Sequence, residues 1–114
     1  MIKIYHNPRC SKSRQTLELL KAQGIDPEIE LYLDNPPSAE KLTDLLVKLG
    51  IAADQLVRKN EVYYKENLKG LELNEHQLIK AMIQNPKLIE RPIVVAGERA
   101  ALGRPPEAVL EIIE

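Results

Sequence analysis

The sequence contains a single cysteine, Cys10, which lies between a short strand pattern and a helix pattern. Unpaired amide groups at the start of a helix carry partial positive charge, which favours a thiolate over a thiol. Ser13 and Arg14 follow at the spacings that share a helical face with Cys10, and His6 precedes it across a short loop. These residue types predict a nucleophilic thiolate whose reactivity is tuned by His6, Ser13 and Arg14.

A lone cysteine is commonly an inert, buried residue. Here its neighbours on both sides are proline and polar residues, so we expect an accessible thiol in an electropositive setting. Ser13 stands three positions beyond Cys10, where a self-resolving dithiol motif has a second cysteine. Thr16 stands where the phosphate-binding loop of tyrosine phosphatases has arginine. Any anion at Cys10 must therefore be held by basic residues from elsewhere in the chain.

Three arginines could supply that charge. Arg58 follows an apolar pair, and Arg91 and Arg104 each directly precede a proline. A residue before proline is held in extended backbone geometry, so the position of its side chain is well defined. The sequence does not place Arg104 relative to Cys10. Two further arginines are interpreted as ordinary surface residues: Arg9 and Arg99.

Periodicity predicts the elements that must position these residues. Alternating apolar residues predict a strand over 2–5 and a second over 28–33, with Ile29, Leu31 and Leu33 facing inward. Between them, helix formers followed by Gly24 predict a helix over 11–23. Because strand, helix and strand follow in this order, we expect the two strands to be parallel.

The rest of the chain reads as a helical section followed by a hairpin. We expect helices over 41–49, capped at Ser38, and over 74–84, with short helical turns and loop over 52–73. Strands over 92–96 and 99–102 join at Gly97-Glu98, and Pro105-Pro106 opens a last helix. The order β-α-β, helices, β-β-α predicts a thioredoxin-like α/β fold, in which helices flank a small mixed sheet. We expect a single domain over 1–114, with a helical insertion between strands 2 and 3 at approximately 36–88.

This topology also bears on Arg91. In a thioredoxin-like fold the loop before the third strand lies beside the start of the first helix, and a proline there is commonly cis. Pro92 occupies that position. We therefore expect Arg91 to approach Cys10.

Composition excludes several classes of function. The chain has 114 residues, 16 Lys+Arg and 17 Asp+Glu, so its formal net charge of -1 gives no bulk attraction to nucleic acid or to an anionic membrane. No apolar run approaches the roughly 18 residues of a membrane span, and no signal peptide precedes the first strand, so we expect a soluble, cytoplasmic protein. One cysteine excludes an intrachain disulfide and a cysteine-rich zinc site, and His6 and His76 add only two ligands. We expect no metal and no bound cofactor.

The segment His6-Asn7-Pro8-Arg9-Cys10-Ser11-Lys12-Ser13-Arg14 resembles the active-site loop of the glutaredoxin-coupled arsenate reductases, the ArsC family of the thioredoxin-like superfamily. The similarity continues through Leu56-Val57-Arg58-Lys59-Asn60, Ile89-Glu90-Arg91-Pro92-Ile93-Val94-Val95 and Gly103-Arg104-Pro105-Pro106-Glu107. The resemblance implies that Cys10 is the nucleophile, and that His6 and Ser13 tune its thiolate. It further implies that arsenate is bound and polarised by Arg58, Arg91 and Arg104.

The resemblance also implies a reductant system. Cys10 would attack arsenic(V), glutathione would attack the enzyme-bound arsenic, and glutaredoxin would remove glutathione from the mixed disulfide, releasing arsenite. The absence of a second cysteine fits this scheme, because an enzyme without its own resolving thiol must borrow one. Better-studied family members carry a C-terminal extension, so closure over the site is expected to differ here.

Two other functions remain open at this stage. A Spx-type regulator has the same fold and binds RNA polymerase, but such proteins typically carry a Cys-x-x-Cys switch and lack the full set of three arginines. A monothiol glutathione-dependent oxidoreductase would act on protein disulfides and would have no need of clustered guanidinium groups. Ser13 and the three arginines favour the reductase.

Overall fold

The mixed sheet expected from the sequence is present in the computed structural model, which describes residues 2–113. The strands are β1 (Ile2–Tyr5), β2 (Glu28–Glu30), β3 (Ile93–Ala96) and β4 (Arg99–Leu102), in the sheet order β2-β1-β3-β4. β1 pairs parallel with β2 and antiparallel with β3, and β3 pairs antiparallel with β4. Helical elements fill the interval between β2 and β3, as predicted.

The described residues fall into two compact units. One comprises the residues up to Asn35 together with those from Arg91 onward, and the other is Pro36–Glu90. The second unit nearly coincides with the insertion expected over 36–88. The assignment of the whole chain to a single domain stays a prediction.

The first unit carries the sheet, helix α1 (Ser11–Ala22) and a final 3₁₀ helix, Pro106–Ile112. Its core joins one fully buried side chain from each of four elements: Ile4 of β1, Leu20 of α1, Val94 of β3 and Val109 of the 3₁₀ helix. Burying each such side chain is worth about 1.5–3 kcal/mol. This core fixes α1 against the sheet, and Cys10 lies at the start of α1.

The second predicted strand is shorter than expected. β2 ends before Leu31, whose carbonyl accepts hydrogen bonds from the amides of Asp34 and Asn35 in a turn. The turn buries Tyr32, whereas Ile29 and Leu31 are 46% and 41% exposed. The expected inward-facing stripe is therefore wrong: Ile29 is exposed although it lies within β2, an edge strand of the sheet, and the turn ends the strand before Leu31.

The last predicted helix is a 3₁₀ helix rather than an α-helix. Pro106 and Val109 are buried and Ile112 is half-buried, so the inward-facing residues recur every three positions. That spacing matches the three residues per turn of a 3₁₀ helix.

The second unit contains α2 (Ala39–Leu49), α3 (Ala53–Leu56), a π-helical turn at Tyr64–Leu68, α4 (Glu75–Gln84) and a 3₁₀ turn at Pro86–Leu88. The predicted caps are present: the Ser38 hydroxyl accepts the Lys41 amide, and Gly50 ends α2 with φ +71. α2 and α3 both pack against α4. Within residues 2–113, no helix combines the length and the apolar character that a membrane crossing demands.

Candidate active site

Cys10 is the N-cap residue of α1, as the sequence predicts. Its carbonyl accepts the Arg14 amide at 3.0 Å, which begins the helix, and its own amide donates to the Asn7 carbonyl at 3.0 Å. The Cys10 side chain is only 8% exposed. The expectation of an accessible thiol is therefore wrong, because tertiary contacts that the local sequence does not show cover the sulfur.

The Arg104 guanidinium contacts the sulfur. Its Nη2 lies 3.7 Å from the Cys10 Sγ, and its Nε donates to the Arg91 carbonyl at 2.8 Å. A cation therefore lies beside the sulfur. A guanidinium in this place supplies positive charge and hydrogen-bond donors to whatever anion forms at the sulfur or binds beside it.

Arg91 reaches the same place through its backbone. The Arg91–Pro92 bond is cis, as expected for the loop before the third strand, and the Arg104–Pro105 bond is also cis. Because the Arg91 carbonyl binds the guanidinium that contacts Cys10, the structure brings together three of the predicted site residues: Cys10, Arg91 and Arg104.

Gly103 explains how Arg104 comes so close to α1. A Cβ at this position would overlap the Thr16 Oγ1 and would lie 2.7 Å from the Pro92 Cγ. The Gly103 amide also donates to the Pro92 carbonyl at 2.9 Å. Only glycine allows the chain to pass between these groups, so Gly103 is a positioning residue that the sequence reasoning missed. The signal available was a glycine directly before a predicted site arginine.

His6, Ser13 and Asn7 form a buried network behind the loop. The Ser13 Oγ lies 2.6 Å from the His6 Nδ1 and accepts the Asn7 amide at 3.0 Å. A hydroxyl can donate one hydrogen bond and accept two, so Ser13 can either donate to Nδ1 or accept from it, according to the tautomer of His6. Burial, aided by the positive charges of Arg14 and Lys21, lowers the pKa of His6 below its ordinary value of 6.5. The network therefore holds the loop with a neutral imidazole.

Arg14 holds the loop from outside. Its Nη1 donates to the Pro8 carbonyl at 2.9 Å, so the contact described for this guanidinium is with the loop backbone and not with the sulfur. Arg9 is exposed and uses its amide to bind the Asn7 Oδ1 at 3.0 Å. Arg99, on β4, donates to the Glu111 carbonyl.

Arg58 belongs to the second unit. Val57 pairs with Ile89 in an isolated antiparallel bridge, and the Arg58 amide donates to the Leu88 carbonyl at 2.7 Å. The Arg58 guanidinium forms ion pairs with Glu61 and, at 3.4 Å from Nε, with Glu90. The positive charge of Arg58, which is predicted to bind the oxyanion, is thus partly neutralised by two carboxylates.

The described part of the chain has no group of three or more histidine, cysteine or acidic side chains arranged to hold a metal ion. The chemistry that the site can perform on its own residues is nucleophilic attack by one sulfur beside a guanidinium.

Comparisons with known proteins find similar sequences and structures along nearly the whole chain. A model described as the ArsC family matches residues 5–112. An uncharacterised protein of Escherichia coli K12, YfgD, is 59% identical over 98% of this chain and 96% of its own length, and an arsenate reductase of Haemophilus influenzae is 52% identical over 96% and 97%. The solved structure of an arsenate reductase from Vibrio cholerae superposes with a TM-score of 0.95, is 51% identical, and is matched over 98% of this chain and 97% of that one. The thioredoxin-like fold class is confirmed.

Proposed function

The chain belongs to the ArsC family, and on that basis we propose that it is an arsenate reductase that acts through a covalent adduct at Cys10. The observation that carries the proposal is the contact between the Arg104 guanidinium and the Cys10 sulfur. A nucleophile and a cation that stabilises an oxyanion are thereby placed side by side at the start of a helix.

The first step is attack on arsenate. The Cys10 thiolate forms a bond to arsenic(V), and one arsenate oxygen takes a proton and leaves as water. Arg104 and Arg91 bind the remaining oxygens, where a guanidinium fork can donate two hydrogen bonds to a tetrahedral oxyanion. Arg58 joins them in this proposal from the family resemblance. His6, Ser13 and Arg14 tune the thiolate by holding the loop that carries it.

The reductants are glutathione and glutaredoxin. A glutathione thiolate bonds to the adduct arsenic, and a second oxygen leaves as water. A glutaredoxin thiolate then bonds to the glutathione sulfur; the arsenic–sulfur bond breaks with its electron pair on arsenic, which becomes arsenic(III). Water finally displaces Cys10 as a thiol and releases arsenite. One arsenate, one glutathione and one glutaredoxin thiol yield arsenite, a mixed disulfide and water.

The cysteine content of the chain supports this borrowed reductant. Cys10 is the single cysteine, so the second thiol that arsenic reduction requires must come from another molecule. Glutathione is then a co-substrate, consumed in each turnover, and no resident cofactor takes part. We place the reaction in the cytoplasm, where glutathione keeps thiols reduced.

The test is arsenate-dependent oxidation of NADPH in the presence of glutathione, glutaredoxin and glutathione reductase. Wild-type protein should support turnover, and Cys10→Ser should abolish it while keeping the fold, as judged by circular dichroism. Turnover by Cys10→Ser would exclude Cys10 as the nucleophile. If the wild-type protein reduces a protein–glutathione mixed disulfide but does not reduce arsenate, it is a monothiol oxidoreductase instead.

A further inference from the structure

A groove runs beside the nucleophile loop, inside the first unit. One wall is formed by residues 6–9 and the other by the turn that follows β2, through Leu31, Leu33 and Asp34. Its volume is about 280 Å³, close to the lower limit of about 300 Å³ for small-molecule sites. We call it the loop groove. It begins one peptide bond from Cys10, because Arg9 lines it.

Three polar groups of the loop groove have no partner among the described residues. Within residues 2–113, neither the Arg9 guanidinium nor the Asp34 carboxylate has an ion-pair partner, although both residues line the groove and are exposed. His6 lines it too and is only 6% exposed. Its Nδ1 faces Ser13, and its Nε2 makes no hydrogen bond within the described residues. The groove therefore offers a cation, an anion and a ring nitrogen of a buried histidine, and Leu31 and Leu33 also line it.

We propose that the loop groove binds glutathione, so that the reductant is held beside the arsenic adduct before its thiol attacks; this inference rests on the proposed function. Glutathione is a γ-glutamyl tripeptide with a carboxylate at each end and one ammonium group. Its glycyl carboxylate matches Arg9, its ammonium matches Asp34, and a peptide group, which has both an N–H and a C=O, matches the His6 Nε2. An extended tripeptide spans about 10 Å, which suits a groove lined by two four-residue segments.

Charge pairing distinguishes this occupant from a simple anion or an apolar ligand. An oxyanion would have no use for Asp34, and an apolar ligand would leave Arg9 and His6 without partners on burial. A zwitterionic peptide satisfies all three groups. The free tripeptide is therefore the occupant that the groove fits.

The test uses S-methylglutathione, which cannot react, titrated into the ¹⁵N-labelled full-length protein. Amide shifts should be confined to residues 6–10 and 31–35. Arg9→Gln and Asp34→Asn should each weaken the apparent Kd roughly two- to fivefold, as expected for loss of one exposed charge pair. The matched controls Arg99→Gln and Asp26→Asn, which lie outside the groove, should leave it unchanged.

Kinetics give a second readout. In the coupled assay the two groove variants should raise the KM for glutathione by the same factors and leave the KM for arsenate unchanged. Amide shifts along β2 that do not respond to either variant would place the peptide on the exposed edge of the sheet and overturn the proposal. The absence of any binding at about 20 mM S-methylglutathione would also overturn it. Groove binding without arsenate turnover would support the groove and overturn the reductase.

Discussion

The Arg104 guanidinium lies 3.7 Å from the Cys10 sulfur, although 94 positions separate the two residues in the chain. The same guanidinium donates to the Arg91 carbonyl, so it is held at two points rather than by the sulfur alone. A cation held in this way needs little rearrangement when negative charge develops beside it, which is the condition for strong electrostatic stabilisation. Arg104 is therefore expected to matter more for turnover than for folding.

Replacing Arg104 tests that expectation. Arg104→Ala should lower kcat/KM for arsenate by roughly 10²–10³, the usual loss on removing a preorganised donor. Arg104→Lys keeps the charge but loses the fork, so its loss should be intermediate. Millimolar sulfate should also slow alkylation of Cys10 by iodoacetamide in the wild type but not in Arg104→Ala. The coupled assay and mass spectrometry measure the two effects.

The control for these variants is Arg99→Ala, because Arg99 is a surface arginine of the same unit whose described contact is with the Glu111 carbonyl. It should retain activity and sulfate protection. Equal losses in Arg99→Ala and Arg104→Ala would point to general destabilisation rather than to an oxyanion site.

The lowered pKa of His6 predicts a pH dependence of stability. Burial holds the folded-state pKa below the ordinary 6.5, so the unfolded chain binds more protons as the pH falls below that value. The contribution of His6 is thus fully present above pH 6.5 and is lost as the pH falls through the folded-state pKa. Urea unfolding between pH 5 and 7.5 should show that the free energy of unfolding rises with pH. The rise should be smaller in His6→Gln than in the wild type.

His76→Gln is the matched control for this slope, because it removes an exposed histidine and leaves the pair of His6 with Ser13 intact. The assignment to His6 is wrong if His76→Gln removes as much of the slope as His6→Gln does.

Much of the fold could be predicted because local patterns and local physics agree. Ser38 and Gly50 mark the ends of α2 by chemistry that acts within one helical turn: a hydroxyl that caps an amide and a residue that tolerates positive φ. The hairpin of β3 and β4 follows from alternation on either side of Gly97, whose φ is +64. Cys10 at the start of α1 follows from the same kind of signal.

What could not be predicted depends on contacts between distant segments. Arg104 contacts Cys10 from a distant segment, and the approach of Arg104 depends on Gly103 passing Thr16. No pattern near Cys10 carries that information. The end of β2 was missed for a related reason: Leu31 continues the apolar alternation, but its carbonyl closes a turn with Asn35.

The ion pairs of Arg58 allow its proposed role to be tested by changing an acidic partner instead of the arginine itself. Glu61→Gln keeps the shape of the Arg58 partner but removes its charge, which leaves the guanidinium more positive. If Arg58 binds the oxyanion, the KM for arsenate should fall roughly two- to fivefold, the range for a single charge interaction. Glu66→Gln, an exposed carboxylate of the same unit, should leave the KM unchanged. An unchanged KM in Glu61→Gln would assign Arg58 to the stability of its own unit.

Gly103→Ala should separate the position of Arg104 from its chemistry. The new methyl group would overlap the Thr16 hydroxyl and the Pro92 ring, so the segment that carries Arg104 must move away from α1. Overpacking of this kind costs about 1–3 kcal/mol in the free energy of unfolding. Misplacing a positioned group by about 1 Å lowers kcat/KM by up to about 10²-fold, here with every predicted site residue still present.

Thr16→Ala in the same chain provides the decisive comparison. Thr16→Ala removes the closer of the two overlapping groups and leaves the contact with Pro92. The double variant Gly103→Ala/Thr16→Ala should therefore regain part of the stability and part of the activity that Gly103→Ala loses. Thr16→Ala alone should keep most of the wild-type kcat/KM. Urea unfolding and the coupled assay, run well below the Tm of each variant, measure the two quantities. If Gly103→Ala stays within twofold of the wild type in kcat/KM, the close passage of the chain at Gly103 does not position Arg104.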